Sequence, residues 1–341
     1  MKRLSRTTAP ARLLALFLLI LFAAPFGANN AAARDDRTVD PDTFEEKLIL
    51  KKESVYNTIY VFEQAGLRYL KFGHNARQYI ESIYNPADPT ALPSAYTRYM
   101  TLGLAYARSL DRAVVVGMGG GRTAWYLAHH VPGMDVIGVE LDPAIIEIAD
   151  TLFDVRTGDN ITVVERDGRI FFRQRRDETY DLIHVDAYRG PFVPFHLLTQ
   201  EFYTLLKDRL RPGGAVVQNI EPSTMLFDHA IATIGSVFDT VDMYPASGNY
   251  VAIAYMGPRR STGALLQRAR ERQRAHGLRY DLATLIGERT PRLPDYDPAK
   301  ILTDDFAPAN YLRSVKRYNR RWEEQKKDGA VHPSLEELLK R

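Results

Sequence analysis

The fold is decided by Ala113-Val-Val-Val-Gly117-Met-Gly-Gly-Gly121, which predicts a buried strand running into a glycine turn. A short, apolar and mostly β-branched run is typical of a parallel strand covered on both faces. The glycines let the backbone turn tightly and approach a ligand, and residues 122–130 then predict a helix whose N-terminus faces that ligand. A second apolar strand ends in Glu140, about 20 residues further on, where a carboxylate can accept hydrogen bonds from both hydroxyls of a ribose. This order of elements predicts a nucleoside site.

The spacing of the glycines bears on which nucleoside binds. A dinucleotide fingerprint has glycine at its first, third and sixth positions, whereas the sixth position counted from Gly117 is Arg122. Gly117, Gly119 and Gly121 instead occupy the first, third and fifth positions, which suits S-adenosylmethionine-type ligands because these carry no pyrophosphate. The spacing therefore favours a sulfonium nucleoside over a nucleotide, or over a turn that binds nothing.

Two further carboxylates follow predicted strands of the same sheet. Asp167 comes soon after Ile161-Thr-Val-Val164, and Asp186 directly follows Tyr180-Asp-Leu-Ile-His-Val185. In doubly wound folds, the carboxyl ends of the strands form the crevice in which ligands bind. We therefore expect Asp167 to accept the adenine amino group, to cap the helix that follows it, or both. Asp186 is the best candidate for a catalytic residue.

Strands alternate with helices along the middle of the chain, which predicts a doubly wound α/β sheet. Short strands and turns precede this region, and the residues that follow it are charged and helix-rich. We expect five segments: a signal peptide or membrane anchor at 1–33, a linker at 34–47, a small N-terminal β-domain at 48–93, a nucleoside-binding catalytic domain at 94–258, and a charged helical extension at 259–341.

Several motifs of the chain together resemble those of the spermidine synthases, the polyamine aminopropyltransferases. They are Gly117–Gly121, Glu140–Pro143, Asp167–Arg169, Tyr180–Asp186, Leu197–Tyr203 and Leu210–Gly214. The resemblance runs from about Glu53 to Gly257, and Ile301–Pro308 is similar to the tail of membrane-fused bacterial relatives. It implies a Rossmann-like S-adenosylmethionine-dependent transferase fold with a small N-terminal β-domain.

The resemblance also implies ligands and their contacts. The co-substrate would be decarboxylated S-adenosylmethionine or S-adenosylmethionine, and the acceptor a small-molecule amine or polyamine. The residues that would hold the nucleoside beside the glycine loop are Gln78, Glu140, Asp167 and Gly168. Tyr96 and Tyr188 are candidates for lining the substrate slot. His196, near the start of a predicted helix beside the cleft, is a candidate for a substrate contact.

The chain departs from the family pattern on the side of the amine. Gly120 replaces an acid that is usual in the glycine loop, and Arg189 replaces a second acid expected three residues after Asp186. Of a Tyr-His-Glu element, only Tyr96 remains. We therefore expect a nucleoside half that is mostly intact and an amine half that lacks most of its acids.

These observations favour aminopropyl transfer and leave two other functions open. In aminopropyl transfer a three-carbon unit moves from a sulfonium to an amine that must first lose a proton, so a general base is needed, for which Asp186 is the candidate. Loss of the amine-side acids instead favours a degenerate polyamine or nucleoside binding protein. If Arg122 or Arg189 points inward, it would repel an amine and could pair with the carboxylate of intact S-adenosylmethionine, which favours a methyltransferase. We also hypothesise that Asp304-Asp305 folds over the cleft and returns negative charge.

Composition narrows the class of protein. The 341 residues carry a formal net charge of +3, with basic residues scattered among acidic ones, so we expect no nucleic acid partner. The chain has no cysteine, which excludes disulfides, thiolate zinc sites and cysteine nucleophiles. Histidines and carboxylates fall at no recognisable metal-ligand spacing, so we expect no metal. We expect a homodimer that contacts a membrane only through its N-terminal segment.

The N-terminus predicts export. Basic residues between Lys2 and Arg12 precede an apolar stretch from Leu13 to Phe26, and Ala31-Ala-Ala33 offers small residues at a cleavage position. The stretch suits the core of a signal peptide and is shorter than the roughly 20 residues needed to span a bilayer. We expect a periplasmic or exported protein, with an uncleaved inner-membrane anchor as the alternative. Because S-adenosylmethionine is made in the cytosol, this requires a supply outside it, a domain that binds without turnover, or a leader that does not export.

Overall fold

The computed structural model describes residues 45–74, 77–158, 160–190, 192–224, 226–291 and 296–305. The predicted signal peptide or anchor at 1–33, most of the linker, and residues 306–341 of the extension lie outside the described residues. Within the described ranges, no helix is long and apolar enough to cross a membrane.

The N-terminal strands form a four-stranded antiparallel sheet in chain order. They are β1 (Lys47–Glu53), β2 (Thr58–Gln64), β3 (Leu67–His74) and β4 (Arg77–Tyr84). Because side chains alternate between the two faces of a strand, apolar residues such as Ile59 and Leu70 bury one face of this sheet. That face shares a core with Ile145 and Ile148 of a later helix. The small sheet is therefore packed against the main domain.

The main sheet has seven strands. They are β5 (Arg112–Val116), β6 (Asp135–Glu140), β7 (Ile161–Glu165), β8 (Tyr180–Val185), β9 (Leu210–Ile220), β10 (Thr240–Ala246) and β11 (Asn249–Tyr255). The strand order is β10-β11-β9-β8-β5-β6-β7. Strands β5 to β9 pair in parallel, and β11 pairs antiparallel with both β9 and β10. The predicted Rossmann-like fold with a small N-terminal β-domain is confirmed.

Helices cover both faces of the main sheet. They are α1 (Ala95–Met100), α2 (Gly103–Tyr106), α3 (Arg122–His130), α4 (Pro143–Leu152), α5 (Gly168–Gln174), α6 (Gln200–Asp208), α7 (Phe227–Gly235), α8 (Thr262–His276) and α9 (Leu282–Gly287), with 3₁₀ turns at Phe195–Leu197 and Pro298–Lys300. Ala113 and Val115 of β5 belong to one core together with residues of α3 and α8. Val114 and Val116 belong to another core with residues of α5, α6 and α7. This two-sided burial accounts for the apolar run from Ala113 to Val116 in β5.

The described part of the segment beyond residue 258 packs on the nucleoside-binding domain. Leu265 of α8 and Leu282 and Ile286 of α9 are buried in the same core as α3. Ser261 begins α8 by accepting a hydrogen bond from the Ala264 amide. This charged segment therefore contains two helices, α8 and α9, that each bury an apolar side.

The direction of strand addition reverses between β5 and β8. Strands β6 and β7 are added on one side of β5, whereas β8 and β9 are added on the other. At such a switch point, the loops that leave the two central strands separate and open a crevice at their carboxyl ends. The glycine loop after β5, Glu140 at the end of β6 and Asp186 after β8 meet at this crevice.

Candidate active site

A cavity of about 930 Å³ lies at the carboxyl ends of these strands. Its size is within the range of small-molecule sites in proteins. It is lined by residues of the small sheet as well as by residues of the main sheet. The predicted site residues that line it are Tyr96, Gly117, Gly119, Glu140, Asp167, Gly168, Asp186, Tyr188 and His196. The structure thus brings the nucleoside-side acids and the candidate base into one cavity.

Two glycines of the loop after β5 are required because each has a positive φ and because a Cβ at either position would collide with a neighbouring residue. Gly117 has a φ of 77°, and a Cβ there would lie 2.4 Å from the Cα of Ala187 in the loop after β8. Gly121 also has a positive φ, of 74°, and a Cβ there would lie 2.6 Å from Val155 Cγ1. Gly121 does not line the cavity. Its role is instead to let α3 begin close to Val155.

Gln78, which the resemblance implies as a nucleoside contact, is exposed on β4 and does not line the cavity. Glu81 and Ser82 of the same strand do line it. The physical reason is a β-bulge: Leu70 pairs with Ser82 and Lys71 pairs with Ile80, so that Glu81 is an extra residue on β4. Position 78 therefore lies away from the cavity, while residues after the bulge line it.

Glu140 is fixed in the crevice by backbone amides. Gly119 N–H donates to Oε2 at 3.0 Å, and the amides of Leu141 and Asp142 donate to Oε1 at 2.8 and 3.1 Å. Burial raises the pKa of Glu140, while these three amides oppose that rise. The carboxylate is therefore held rigidly beside the glycine loop, as a group that receives ribose hydroxyls would need to be.

Asp167 has two roles in the structure. Its Oδ1 accepts the Ile170 amide at 2.9 Å and so caps α5, as the sequence predicted. Its Oδ2 lies 2.7 Å from Nε2 of His196. Burial raises the pKa of Asp167, but the hydrogen bonds from His196 and Ile170 outweigh it and leave that pKa below its ordinary value. Asp167 is thus an ionised group, and His196 belongs to the nucleoside half of the cavity.

Asp186 lies at the centre of a polar network. Tyr96 donates its O–H to Oδ2 at 3.0 Å, and Asn219 donates Nδ2–H to Oδ1 at 2.9 Å. Asn249 fixes the amide of Asn219 through a 2.8 Å hydrogen bond to its Oδ1. Burial raises the pKa of Asp186 to about 7, although the bonds from Asn219 and Tyr96 lower it. A carboxyl with this pKa can gain and lose a proton at neutral pH.

Tyr188 is held by the backbone of the strand next to β8. Its O–H donates to the carbonyl of Asn219 at 3.0 Å and accepts the amide of Glu221 at 3.1 Å. Burial, with the charges of Asp186 and Glu221, raises the pKa of Tyr188 well above its ordinary value. Tyr188 is therefore a neutral, rigid part of the cavity wall beside Asp186.

Glu81 is a site residue that sequence reasoning missed. It lines the cavity, and its Oε1 is buried without a hydrogen-bond partner among the described residues. Burial raises the pKa of Glu81 well above its ordinary value, and the negative charges of Asp186, Glu140 and Glu221 raise it further. The only sequence signal was an acid within an irregular strand, which by itself does not point to a site.

Arg122 lines the cavity, but its terminal nitrogens are engaged by the protein itself, which argues against the hypothesis that it pairs with a methionyl carboxylate or repels an amine. Its guanidinium lies 4.4 Å from the ring centres of both Tyr84 and Trp125. Its terminal nitrogens donate to the carbonyls of Phe153 and Pro89. Burial lowers its pKa to about 10. Because its terminal nitrogens are engaged, Arg122 supports packing between the small sheet and α3.

Two other charged groups considered from the sequence stand apart from the interior of the cavity. Arg189 is exposed where it borders the cavity. Asp304 and Asp305 do not line the cavity, and both carboxylate oxygens of Asp304 accept hydrogen bonds from Arg169. This pairing lowers the pKa of Asp304. The hypothesis that this pair of acids returns charge to the cleft is therefore wrong.

The described residues also include acids and histidines elsewhere in the molecule. Across residues 45–305, apart from the undescribed gaps, no group of three or more His, Asp or Glu side chains is arranged to hold a metal ion. His184, inside β8, is fully buried, and burial lowers its pKa to about 4. It does not line the cavity.

Residues 94–246 match the family model of the spermine/spermidine synthase domain. The chain is 29% identical over 280 residues to the polyamine aminopropyltransferase of Vibrio vulnificus, a similarity that covers 79% of this chain and 92% of that protein. It is 28% identical over 239 residues to the polyamine aminopropyltransferase of Chromobacterium violaceum, covering 69% of this chain and 88% of that protein. The spermidine synthase from Thermotoga maritima has the same fold, with a TM-score of 0.54 at 17% identity over 79% of this chain and 87% of that one.

Proposed function

The chain belongs to the spermine/spermidine synthase family, and from that premise we propose that it transfers an aminopropyl group from decarboxylated S-adenosylmethionine to an amine in polyamine biosynthesis. The observation that carries this proposal is the setting of Asp186, a buried carboxyl with a pKa of about 7 in the same cavity as Glu140 and Asp167. An acid of this pKa is suited to take a proton from an amine at neutral pH.

The nucleoside half of the cavity would hold the donor. Glu140, fixed by the amides of Gly119, Leu141 and Asp142, is the candidate for the ribose hydroxyls. Asp167, fixed by Ile170 and His196, is the candidate for the adenine amino group. Both carboxylates are rigid before any ligand arrives, so little conformational freedom would be lost on binding.

The amine half would carry the chemical step. Asp186 takes a proton from the primary ammonium of the acceptor, which leaves a neutral nitrogen with a free electron pair. That pair attacks the carbon next to the sulfonium, so that a C–N bond forms while the C–S bond breaks. The electrons of the C–S bond return to sulfur, and methylthioadenosine leaves as a neutral thioether. The product is a secondary ammonium that can lose its remaining extra proton.

The positions of two arginines favour aminopropyl transfer over methyl transfer. An arginine that points into the cavity with free terminal nitrogens could pair with the carboxylate of intact S-adenosylmethionine. Both terminal nitrogens of the Arg122 guanidinium are hydrogen bonded to backbone carbonyls, and Arg189 is exposed. The interior of the cavity instead carries the carboxylates of Glu81, Glu140 and Asp186, which favour a cationic ligand.

The proposal is tested with the purified full chain, decarboxylated S-adenosylmethionine and 1,4-diaminobutane. We expect release of methylthioadenosine that depends on the diamine and is lost in Asp186→Asn. Asp177→Asn is the matched control, because Asp177 is exposed and does not line the cavity. Absence of methylthioadenosine with every diamine and polyamine offered would contradict the proposal.

We further propose that the chain is exported. The support is the basic segment before the apolar stretch from Leu13 to Phe26 and the small residues at Ala31-Ala-Ala33. The test is protease treatment of spheroplasts that express the full chain with a C-terminal epitope. Digestion of the epitope in intact spheroplasts, or its release with the periplasmic fraction, is expected. Protection of the epitope until the cells are lysed would contradict export.

A further inference from the structure

The amine half of the cavity contains a carboxylate that comes from a different domain. Glu81 lies in β4 of the small sheet, whereas Asp186 follows β8 of the main sheet. The bulge that makes Glu81 an extra residue on β4 gives it freedom from the pairing of its neighbours. Bulges of this kind occur beside active sites, where they re-aim a side chain. The strand is therefore shaped locally in a way that presents this acid to the cavity.

The carboxylate of Glu81 is only partly satisfied by the residues around it. Its Oε1 is buried and has no hydrogen-bond partner among the described residues. Within the same part of the chain, neither Glu81 nor Asp186 forms an ion pair with a lysine or arginine. An unpartnered buried carboxylate is costly unless a ligand supplies the missing charge or hydrogen bond. A cationic ligand at this point would satisfy it.

The neighbours of Glu81 locate that ligand on the acceptor side. Among the charges that raise its pKa, Asp186 contributes more than Glu140, and the backbone amide of Gly190 donates a hydrogen bond to it. Gly190 directly follows Arg189, the position at which the second amine-side acid is missing from the sequence. Glu81 thus places an acid beside the loop that lacks one.

We infer that Glu81 binds an ammonium group of the acceptor beside Asp186, in place of the acid that is missing at Arg189. The inference rests on the proposed function and names the residue that selects its acceptor. The nitrogen that attacks must be neutral at the moment of attack, so it does not compensate the charge of Glu81. A second, protonated nitrogen of the acceptor does so. Glu81 is therefore the residue that distinguishes a diamine from a monoamine.

The test compares two acceptors in the full chain and in Glu81→Gln, which removes the charge and keeps the shape. Affinities for 1,4-diaminobutane and for butylamine are measured by calorimetry in the presence of saturating methylthioadenosine. We expect the unaltered chain to prefer the diamine and Glu81→Gln to bind it roughly 10- to 100-fold more weakly, the range expected for loss of one charge-assisted contact. Affinity for methylthioadenosine and for butylamine should stay within twofold.

Two further variants guard against a merely structural effect. Glu63→Gln makes the same change in the same sheet, but Glu63 is half-buried on β2, pairs with Arg68 and does not line the cavity, so diamine affinity should not change. In Glu81→Gln/Arg189→Asp, an acid is returned three residues after Asp186, and we expect at least part of the diamine preference to return. A structural role for Glu81 would not be rescued by a charge placed on another element.

Several results would overturn the assignment of Glu81. They are unchanged diamine affinity in Glu81→Gln, an equal loss of methylthioadenosine affinity, and failure of the unaltered chain to bind diamine. Weaker binding of decarboxylated S-adenosylmethionine with unchanged diamine binding would assign Glu81 to the donor instead and also overturn the inference. Diamine binding that depends on Glu81 without any methylthioadenosine release in the transfer assay would instead contradict the proposed transfer and leave this assignment standing.

Discussion

The two halves of the cavity differ in how far their carboxylates are satisfied by the protein itself. In the nucleoside half, Asp167 accepts hydrogen bonds from Ile170 and His196, and its pKa lies below its ordinary value. In the amine half, burial raises the pKa of Asp186 to about 7, and one carboxylate oxygen of Glu81 has no hydrogen-bond partner in the part of the chain that the structure describes. The protein itself hydrogen bonds the carboxylate of Asp167, whereas among the described residues it leaves one oxygen of Glu81 for a ligand to satisfy.

This difference matches the chemistry that each half would perform. Recognition of a neutral ribose and adenine needs acceptors that are already oriented, which backbone amides and a helix cap provide. Deprotonation of an amine needs an acid whose pKa lies near the working pH. Burial provides this in Asp186 because it outweighs the two hydrogen bonds that oppose it, at a cost in stability to the ligand-free protein.

The largest expected effect comes from removing the candidate base. Asp186→Asn retains the size of the side chain but cannot accept the proton, so kcat for aminopropyl transfer should fall by about 10²–10⁴. Affinity for methylthioadenosine should stay within twofold, because the nucleoside half is untouched. The measurements are steady-state rates of methylthioadenosine release and calorimetric affinities. A fall in nucleoside affinity as large as the fall in rate would mean that the two halves are not separable.

The next effect concerns the nucleoside half. Glu140→Gln removes a carboxylate that is held by three amides, and we expect affinity for methylthioadenosine to fall roughly 10- to 100-fold. Glu165→Gln is the control, because Glu165 pairs with Glu140 in the next strand but is exposed outside the cavity. Equal effects of both substitutions on calorimetric affinity would argue against a specific contact to Glu140.

The pH dependence of kcat/KM should follow the ionisation of Asp186. Below pH 7 the carboxyl is mostly protonated and cannot act as a base, so kcat/KM should rise with pH and level off above about 7. Tyr96→Phe removes a hydrogen bond that favours the ionised form of Asp186. The rise in kcat/KM should therefore shift to a higher pH, by about 0.5–1 pH unit. A kcat/KM that is flat from pH 5.5 to 8, or a rise that stays at the same pH in Tyr96→Phe, would argue against Asp186 as the base.

The smallest effect is on stability. Because the pKa of Glu81 is raised in the folded state, the folded chain binds more protons than the unfolded chain above about pH 4, and its stability falls as pH rises. Glu81→Gln removes this loss, so its ligand-free Tm should exceed that of the unaltered chain by a few degrees at pH 8 and should equal it near pH 4. Thermal melts across this pH range measure the difference. A lower Tm for Glu81→Gln at every pH would indicate that Glu81 stabilises the fold.

The sequence was sufficient to place Glu140 and Asp167 in one crevice, because these residues lie at or soon after the ends of strands that the pattern identifies. The apolar runs of β5 and β8 predict buried parallel strands, and the carboxyl ends of parallel strands meet at one edge of the sheet. Asp167 was predicted to cap a helix, and it does so. The acids and glycines of these loops could therefore be assigned to one crevice without knowledge of distances, although their individual roles stay predictions.

The sequence was insufficient where contacts depend on irregular pairing between distant segments. The bulge in β4 changes which residues face the cavity, so Glu81 lines it while Gln78 does not. The position of Arg122 depends on Tyr84 of the small sheet, which packs against one side of its guanidinium. Strand alternation predicts neither feature, because both arise only when the two sheets pack together.

The central claim is tested most directly by the mass of the acceptor after reaction. The full chain is incubated with 1,4-diaminobutane and, in parallel, with decarboxylated or intact S-adenosylmethionine, and the amines are analysed by mass spectrometry. We expect a diamine enlarged by one aminopropyl group with the decarboxylated donor, and no product with the intact donor. A methylated amine formed from the intact donor, or an unchanged diamine with both, would contradict it.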